Sequence, residues 1–239
     1  FAPPATHGPR RRVVEEVVAA IDVDEARELA RRATLEQLPV TADAIELARS
    51  VPVRTLLAAL GLVPIDDETS GASVTADVDE VAAVIGRGAD ASAAADAAAT
   101  RLLAVAGSRG RDPVAVASVL YQCLDAVAGL IATTLHARAL DTDRVPAVPR
   151  TVRVATETFE IGEMPVAVGD VFQLEIGGAG LEFGAGPHAC PGRELAETIA
   201  SAVVAATEES HTIDLAMVTV DPDGRPETLP LSAGPLANT

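Results

Sequence analysis

The chain has 239 residues, 49% of them hydrophobic and 22% charged, which excludes a disordered chain and leaves room for one domain with a real core or two small ones. Eighteen basic residues against 35 acidic ones give a formal charge of −17, with no Trp, one Tyr and four Phe, and both features exclude a nucleic-acid partner. Two cysteines, Cys123 and Cys190, exclude a disulfide framework and predict the reducing cytoplasm as the compartment.

Residues 7–38 predict two helices. Val13, Val14, Val17 and Val18 follow Arg10, Arg11 and Arg12 at helical spacing, and Asp22 and Asp24 are N-cap candidates for the second helix, from Glu25 to about Leu38. A third helix starts near Thr41, is interrupted at Pro52, and continues from Val53 to Leu60 before Gly61. The polar, acidic stretch 65–77 predicts a loop. A short helix from Val78 to Ile85 ends at Gly86-Arg-Gly88, and the Ala-rich residues 90–106 predict a scaffold helix. The longest helical pattern runs from 112 to about 140, with Asp112 as N-cap and Pro113 at its first position. Leu120, Leu124, Val127, Ile131 and Leu135 keep one face apolar, while Ala128, Gly129 and Ala132 leave room for a close neighbour or a ligand. Strands follow at 151–155, 159–161 and 171–176, with turns at Gly162, Pro165 and Gly169-Asp170. A Gly-rich loop, 177–192, leads into a helix from about Arg193 to Thr207. Two last strands, near 212–220 and 226–232, flank the hairpin turn Asp221-Pro-Asp-Gly224. Helices first and strands last predict a mostly α, α+β fold. No apolar run is read as long enough to span a bilayer, and no signal peptide is visible, so no membrane is expected. The chain opens on Phe1 without Met, which fits a trimmed N-terminus.

The chemistry concentrates in Phe183-Gly-Ala-Gly-Pro-His-Ala-Cys-Pro-Gly192. Cys190 lies in a glycine-containing loop directly before a helix. Unpaired amides and the dipole at a helix N-terminus stabilise a thiolate, which can then ligate a metal. Glycines let backbone approach a flat cofactor closely. A haem iron held by one thiolate requires this combination.

This stretch, Phe-Gly-x-Gly-x-His-x-Cys-x-Gly, resembles the haem-binding loop of the cytochrome P-450 family at every defining position. The resemblance implies haem b as cofactor and Cys190 as axial ligand. It also implies Phe183 beside the sulfur, Gly184, Gly186 and Gly192 shaping the loop, and His188 at a haem propionate. Other stretches are similar in the same order. His7-Gly-Pro-Arg-Arg11 resembles the His-x-x-x-Arg helix start that grips a propionate, against the plain alternative of a solvated helix end. Pro52-Val-Arg-Thr-Leu-Leu-Ala-Ala-Leu-Gly61 resembles the segment before the family's middle helices, and Leu120 to Leu135 its long distal helix. Pro149-Arg-Thr-Val-Arg153 resembles the strand whose Arg binds the other propionate, which favours Arg153 over Arg150; an ordinary strand charge is the alternative. Cys123 is expected in the core, and His136 and His211 have no ligand spacing. Arg10–Arg12 lie on the helix near which the family docks electron donors.

The departures define a shortened member. The family's N-terminal region, its Glu-x-x-Arg helix between Leu140 and Pro149, and the meander, reduced here to Gly177-Gly-Ala-Gly-Leu181, are missing. In the family the last two brace the thiolate loop through ionic contacts. The distal helix offers Asp125 without a following Thr, and Thr133 and Thr134 lie too far on to replace it. Asp125 is either a distal acid or a helix-surface residue. The resemblance implies one haem-binding domain over 1–239, a truncated helical bundle with small β-sheets near the C-terminus; the helical part covers about 1–140, and the strands, Cys loop and last helix about 149–233. The implied activity is oxidation of a small apolar metabolite, monooxygenase or peroxide-driven, or a haem-dependent rearrangement, in bacterial secondary metabolism. A ferredoxin-type electron donor and a second copy or partner protein covering the missing regions are the implied partners. The alternative is a non-catalytic accessory protein that stabilises or activates a partner enzyme.

Overall fold

Side-chain caps set where the helices begin. The computed structural model describes residues 4–234. Six helices come first: α1 (Pro4–Ala19), α2 (Val23–Gln37), α3 (Ala44–Ala59), α4 (Glu68–Ile85), α5 (Ala93–Gly107) and α6 (Pro113–Leu140). Asp22, Asp43, Asp67, Ser92 and Asp112 each accept a hydrogen bond from a first-turn amide of the helix that follows. For α6 the bond runs from the Ala115 amide to Asp112 at 2.8 Å, and Pro113 opens the helix where no N–H is needed. Asp112→Ala is expected to cost about 1 kcal/mol, read as a lower urea midpoint at unchanged slope.

α6 is the central helix. It packs against α1, α3, α4, α5 and a seventh helix, α7 (Arg193–Glu208). Its Leu120, Leu124 and Ile131 are among the largest fully buried side chains, together with Leu47 and Leu57 of α3 and Ile199 of α7. Contrary to the sequence reading, α6 is long and apolar enough to cross a membrane by length and composition, with a mean hydropathy of 1.8 over its best window. Half of that window is buried between its helical neighbours, so its all-round apolarity matches a core position.

Two helical expectations are corrected. The stretch 68–77, expected as a loop, is the first half of α4. Its core-facing positions are Gly71, Val74, Asp77 and Val78, so the usual apolar periodicity is masked. Gly71 lies where a Cβ would come within 3.2 Å of the Arg54 side chain, and Asp77 is buried against Arg101 of α5 at 2.6 Å. Pro52 does not interrupt α3, which runs through it. Pro52 is buried with Val51 and Val53, and this packing offsets the backbone hydrogen bond a proline forfeits.

Asp141, at φ 54°, ends α6 in a left-handed cap. A linker then reaches β1 (Arg150–Val154), followed by β2 (Phe159–Ile161), β3 (Met164–Val166) and β4 (Val171–Glu175). β1 pairs antiparallel with β4, placing Arg153 opposite Phe172, and β2 pairs with β3. Pro165, expected in a turn, lies within β3, which pairs on one side only and so tolerates the missing N–H. After α7 come β5 (His211–Ile213), β6 (Thr219–Val220), β7 (Pro226–Thr228) and β8 (Leu231–Ala233). The two long strands expected here are four short ones, because a 3-10 turn at Leu215–Met217, capped by Asp214, breaks the first. The turn at Asp221–Gly224 forms as expected, the Asp221 amide donating to Arg225 O at 2.8 Å. Fully buried Leu229 docks this end on α3: its amide donates to Asp43 at 2.9 Å, and its carbonyl accepts from the Ala44 amide.

Candidate functional site

The loop between β4 and α7 is tied down by its own backbone. The Ile176 and Gly177 amides both donate to Pro149 O, and the Leu181 amide returns to Ile176 O at 2.9 Å. The Gly184 amide donates to Leu181 O, and the Cys190 amide donates to Phe183 O at 2.6 Å, closing an eight-residue lap. A 3-10 turn at Gly186–His188 lies inside that lap. Gly184 has φ 69°, and a Cβ there would stand 2.6 Å from the His188 carbonyl oxygen, so only glycine fits. Gly186 has φ 55° and nothing within 4 Å of a Cβ, which leaves bare backbone facing outward.

Cys190 is exposed at the mouth of α7. The N-cap of α7 is Gly192, which supplies no side-chain bond, so the first-turn amides of the helix are left for the loop and for what it binds. Cys123 contrasts with it: buried on α6, its thiol is pushed up to about 12 by burial and is inert. Phe183 is half-buried against the core, with the Arg193 guanidinium 5.0 Å from its ring centroid.

The N-terminal helix reaches this loop. Arg11 donates from Nη2 to Ala189 O at 2.8 Å and from Nε to Glu15 at 2.6 Å. The His7 and His188 rings lie with centroids 4.5 Å apart, tilted by 53°. His7, Arg11, His188 and Cys190 are thus brought together from opposite ends of the sequence. Arg153 sits on β1, its guanidinium on Thr151 Oγ1 and on the Val152 carbonyl at 2.8 Å, in the strand paired with the one that leads into the loop.

Asp125 lies elsewhere in the bonding pattern. It is 45% exposed, and its carboxylate takes Arg49 at 3.1 Å and Arg87 at 3.0 Å, with Asp79 completing the cluster. The helix is covered at Cys123, Leu124 and Val127 but open at Gln122, Asp125 and Ala126, so the carboxylate meets water and cations instead of an apolar wall. Of the two sequence readings of Asp125, distal acid or helix-surface residue, these contacts fit the second. Thr133 and Thr134 turn back to carbonyls of their own helix, at 2.7 Å to Gly129 and 2.6 Å to Leu130.

One contact was not legible in the sequence. Glu182, the residue before Phe183, takes the Arg144 guanidinium on both oxygens, at 3.1 and 2.7 Å. Its only sequence signal is a carboxylate beside the motif. Two surface clefts of about 500 and 320 Å³ run along α2 and between α3 and α4, and neither borders Cys190.

No family model matches the sequence, and no curated protein matches it. Solved structures do. CalO2 superposes with a TM-score of 0.74 at 20% identity, over 99% of this chain and 80% of that one. Epothilone B-bound cytochrome P-450 EpoK gives 0.72 at 19% identity, over 98% and 79%. The open form of cytochrome P-450 EryK from S. erythraea gives 0.71 at 18% identity, over 100% and 81%. The order of helices and the late small sheets are therefore those of a cytochrome P-450 fold in shortened form.

Proposed function

We propose that the chain, acting as one haem-binding domain over 1–239, is a haem-thiolate protein that oxidises or rearranges a small apolar metabolite. The carrying observation is Cys190: an exposed thiol at an uncapped helix N-terminus, in a loop whose Gly186 leaves open backbone. That donor set fits haem b, which when bound supplies the redox chemistry. Cys190 would ligate the iron. His7, Arg11, His188 and Arg153 would hold the propionates, since three of them already gather at the loop. Phe183 would shield the sulfur side, and Gly184, Gly186 and Gly192 would let the backbone approach the haem.

Three candidate proton carriers on α6 are committed: Asp125 to two arginines, Thr133 and Thr134 to backbone carbonyls. Aimed proton delivery from these groups is therefore not part of the reading. This favours peroxide-driven oxidation or a rearrangement over dioxygen chemistry fed by a ferredoxin-type donor. The neighbours EpoK and MycG were captured with epothilone B and mycinamicin IV, which supports a secondary metabolite as substrate class. The pairing of one buried and one exposed free thiol suits a reducing, cytoplasmic setting.

The test is reconstitution with haemin followed by reduction under carbon monoxide. A strongly red-shifted Soret band supports the reading, and peroxide-dependent turnover of small apolar metabolites would then be sought. No haem uptake would sink it. The accessory-protein alternative is favoured by one observation: Val152, Val154 and Val171 stand 55–68% exposed on one face of the β1–β4 ladder, a surface suited to a partner or a second copy.

A further inference from the structure

We propose that Arg144 and Glu182 are positioning residues that set the Cys190 loop. The pair is bidentate, with Arg144 Nη1 and Nη2 each donating to one oxygen of Glu182. Glu182 also accepts the Ala147 amide, so it grips the linker backbone as well as the guanidinium. Arg144 Nη1 further donates to Val145 O at 3.2 Å and reaches Thr133 Oγ1 of α6 at 3.4 Å. The contacts therefore run from the central helix through the linker to the residue before Phe183, whose carbonyl accepts the Cys190 amide.

Two features separate this pair from ordinary surface ion pairs. Its side chains are 27% and 16% exposed, whereas every other described pair has at least one partner more than a third exposed. Solvent screening is correspondingly smaller. The linker is also wedged in place: a Cβ on Gly129 of α6 would meet Ala147 O at 3.3 Å, and one on Gly177 would strike Pro146. The linker thus packs closely on both α6 and the root of the loop. Burial pushes the Glu182 carboxyl up, but Arg144 and the Ala147 and Val148 amides outweigh it and hold it below the ordinary carboxylate range. A carboxyl lowered in the folded state stabilises at neutral pH, and that contribution is lost as pH falls through the folded value. The brace is thus an acid-labile one.

The inference rests on Cys190 being the functional centre, but its test does not need haem. Hydrogen exchange at the Cys190 amide reports closure of the loop directly. In Glu182→Gln and Arg144→Met, its protection is expected to fall about tenfold or more, while α6 amides at Leu120 and Leu124 keep theirs. The charge-swapped double variant, Arg144→Glu with Glu182→Arg, should recover only the ion-pair share of the loss, because it leaves the Ala147 amide without its acceptor and Val145 O without its donor. Unchanged protection at Cys190 in the single variants overturns the proposal, and so does a fall shared equally with the α6 amides. Absence of a thiolate-type band in the unaltered chain would instead count against the haem reading and leave the brace standing.

Discussion

If Cys190 holds the iron as proposed, replacing it by Ala is expected to abolish the red-shifted Soret band of the reduced, carbon monoxide-treated chain after haemin loading. The expected effect is complete because the described residues offer one accessible thiol. Cys123 cannot substitute: it is buried on α6, and burial holds its thiol protonated, with a value of about 12. Cys123→Ala should accordingly leave the band in place. The loop geometry does not depend on the sulfur, since the lap is closed by the Cys190 amide and by Arg11 on the Ala189 carbonyl. Loss of the band in Cys190→Ala would then report ligation and not collapse, with circular dichroism as the check. A red-shifted band that survives the substitution removes Cys190 from the iron.

The second large effect lies in the core. Ile131 is fully buried on α6, close to where that helix meets the linker. Ile131→Ala removes three carbons from a site enclosed by neighbouring helices, so the cavity cannot close easily, and the expected cost is about 2–5 kcal/mol. A domain holds only about 5–15 kcal/mol in total, so this is a large share of its stability. Urea unfolding followed by circular dichroism measures it. Val171→Ala is the matched control: Val171 is 68% exposed, and its change should stay within about 0.5 kcal/mol. A loss below 1 kcal/mol at Ile131 would mean that α6 is not the central strut.

Much of the helical frame was legible because caps and spacing agree. Asp112-Pro113 announces α6, and Asp22 announces α2. The cysteine loop was legible as a loop because its glycines supply left-handed backbone at Gly184 and Gly186 and a helix starts directly behind it, at Arg193. The errors share a physical origin. The first half of α4 hides its buried face behind Gly71 and Asp77, which do not look like core residues until Arg54 and Arg101 are placed beside them. Pro52 looked like an interruption because local chemistry says so, and burial on a crowded helix overrides it. Asp125 looked out of place on an apolar helix until Arg49 and Arg87 arrived from 76 and 38 residues away. Arg144 and Glu182, 38 positions apart, carry no local pattern that pairs them.

The seam between α1 and the Cys190 loop has a kinetic consequence. Arg11 and Ala189 are 178 positions apart, and Asp43 and Leu229 are 186 apart. Closing so long a stretch costs little free energy, since each doubling of length adds about 0.6 kcal/mol. It does cost time, because distant segments must find one another before their contacts repay the search. The frame of α2 to α6 is built largely from neighbours in sequence and can collapse early. The thiol seam closes last. In refolding, helical dichroism should return before the Cys190 amide is protected. During synthesis α1 emerges well before the Cys190 loop and waits for it, so whatever the two segments grip together is captured late in assembly.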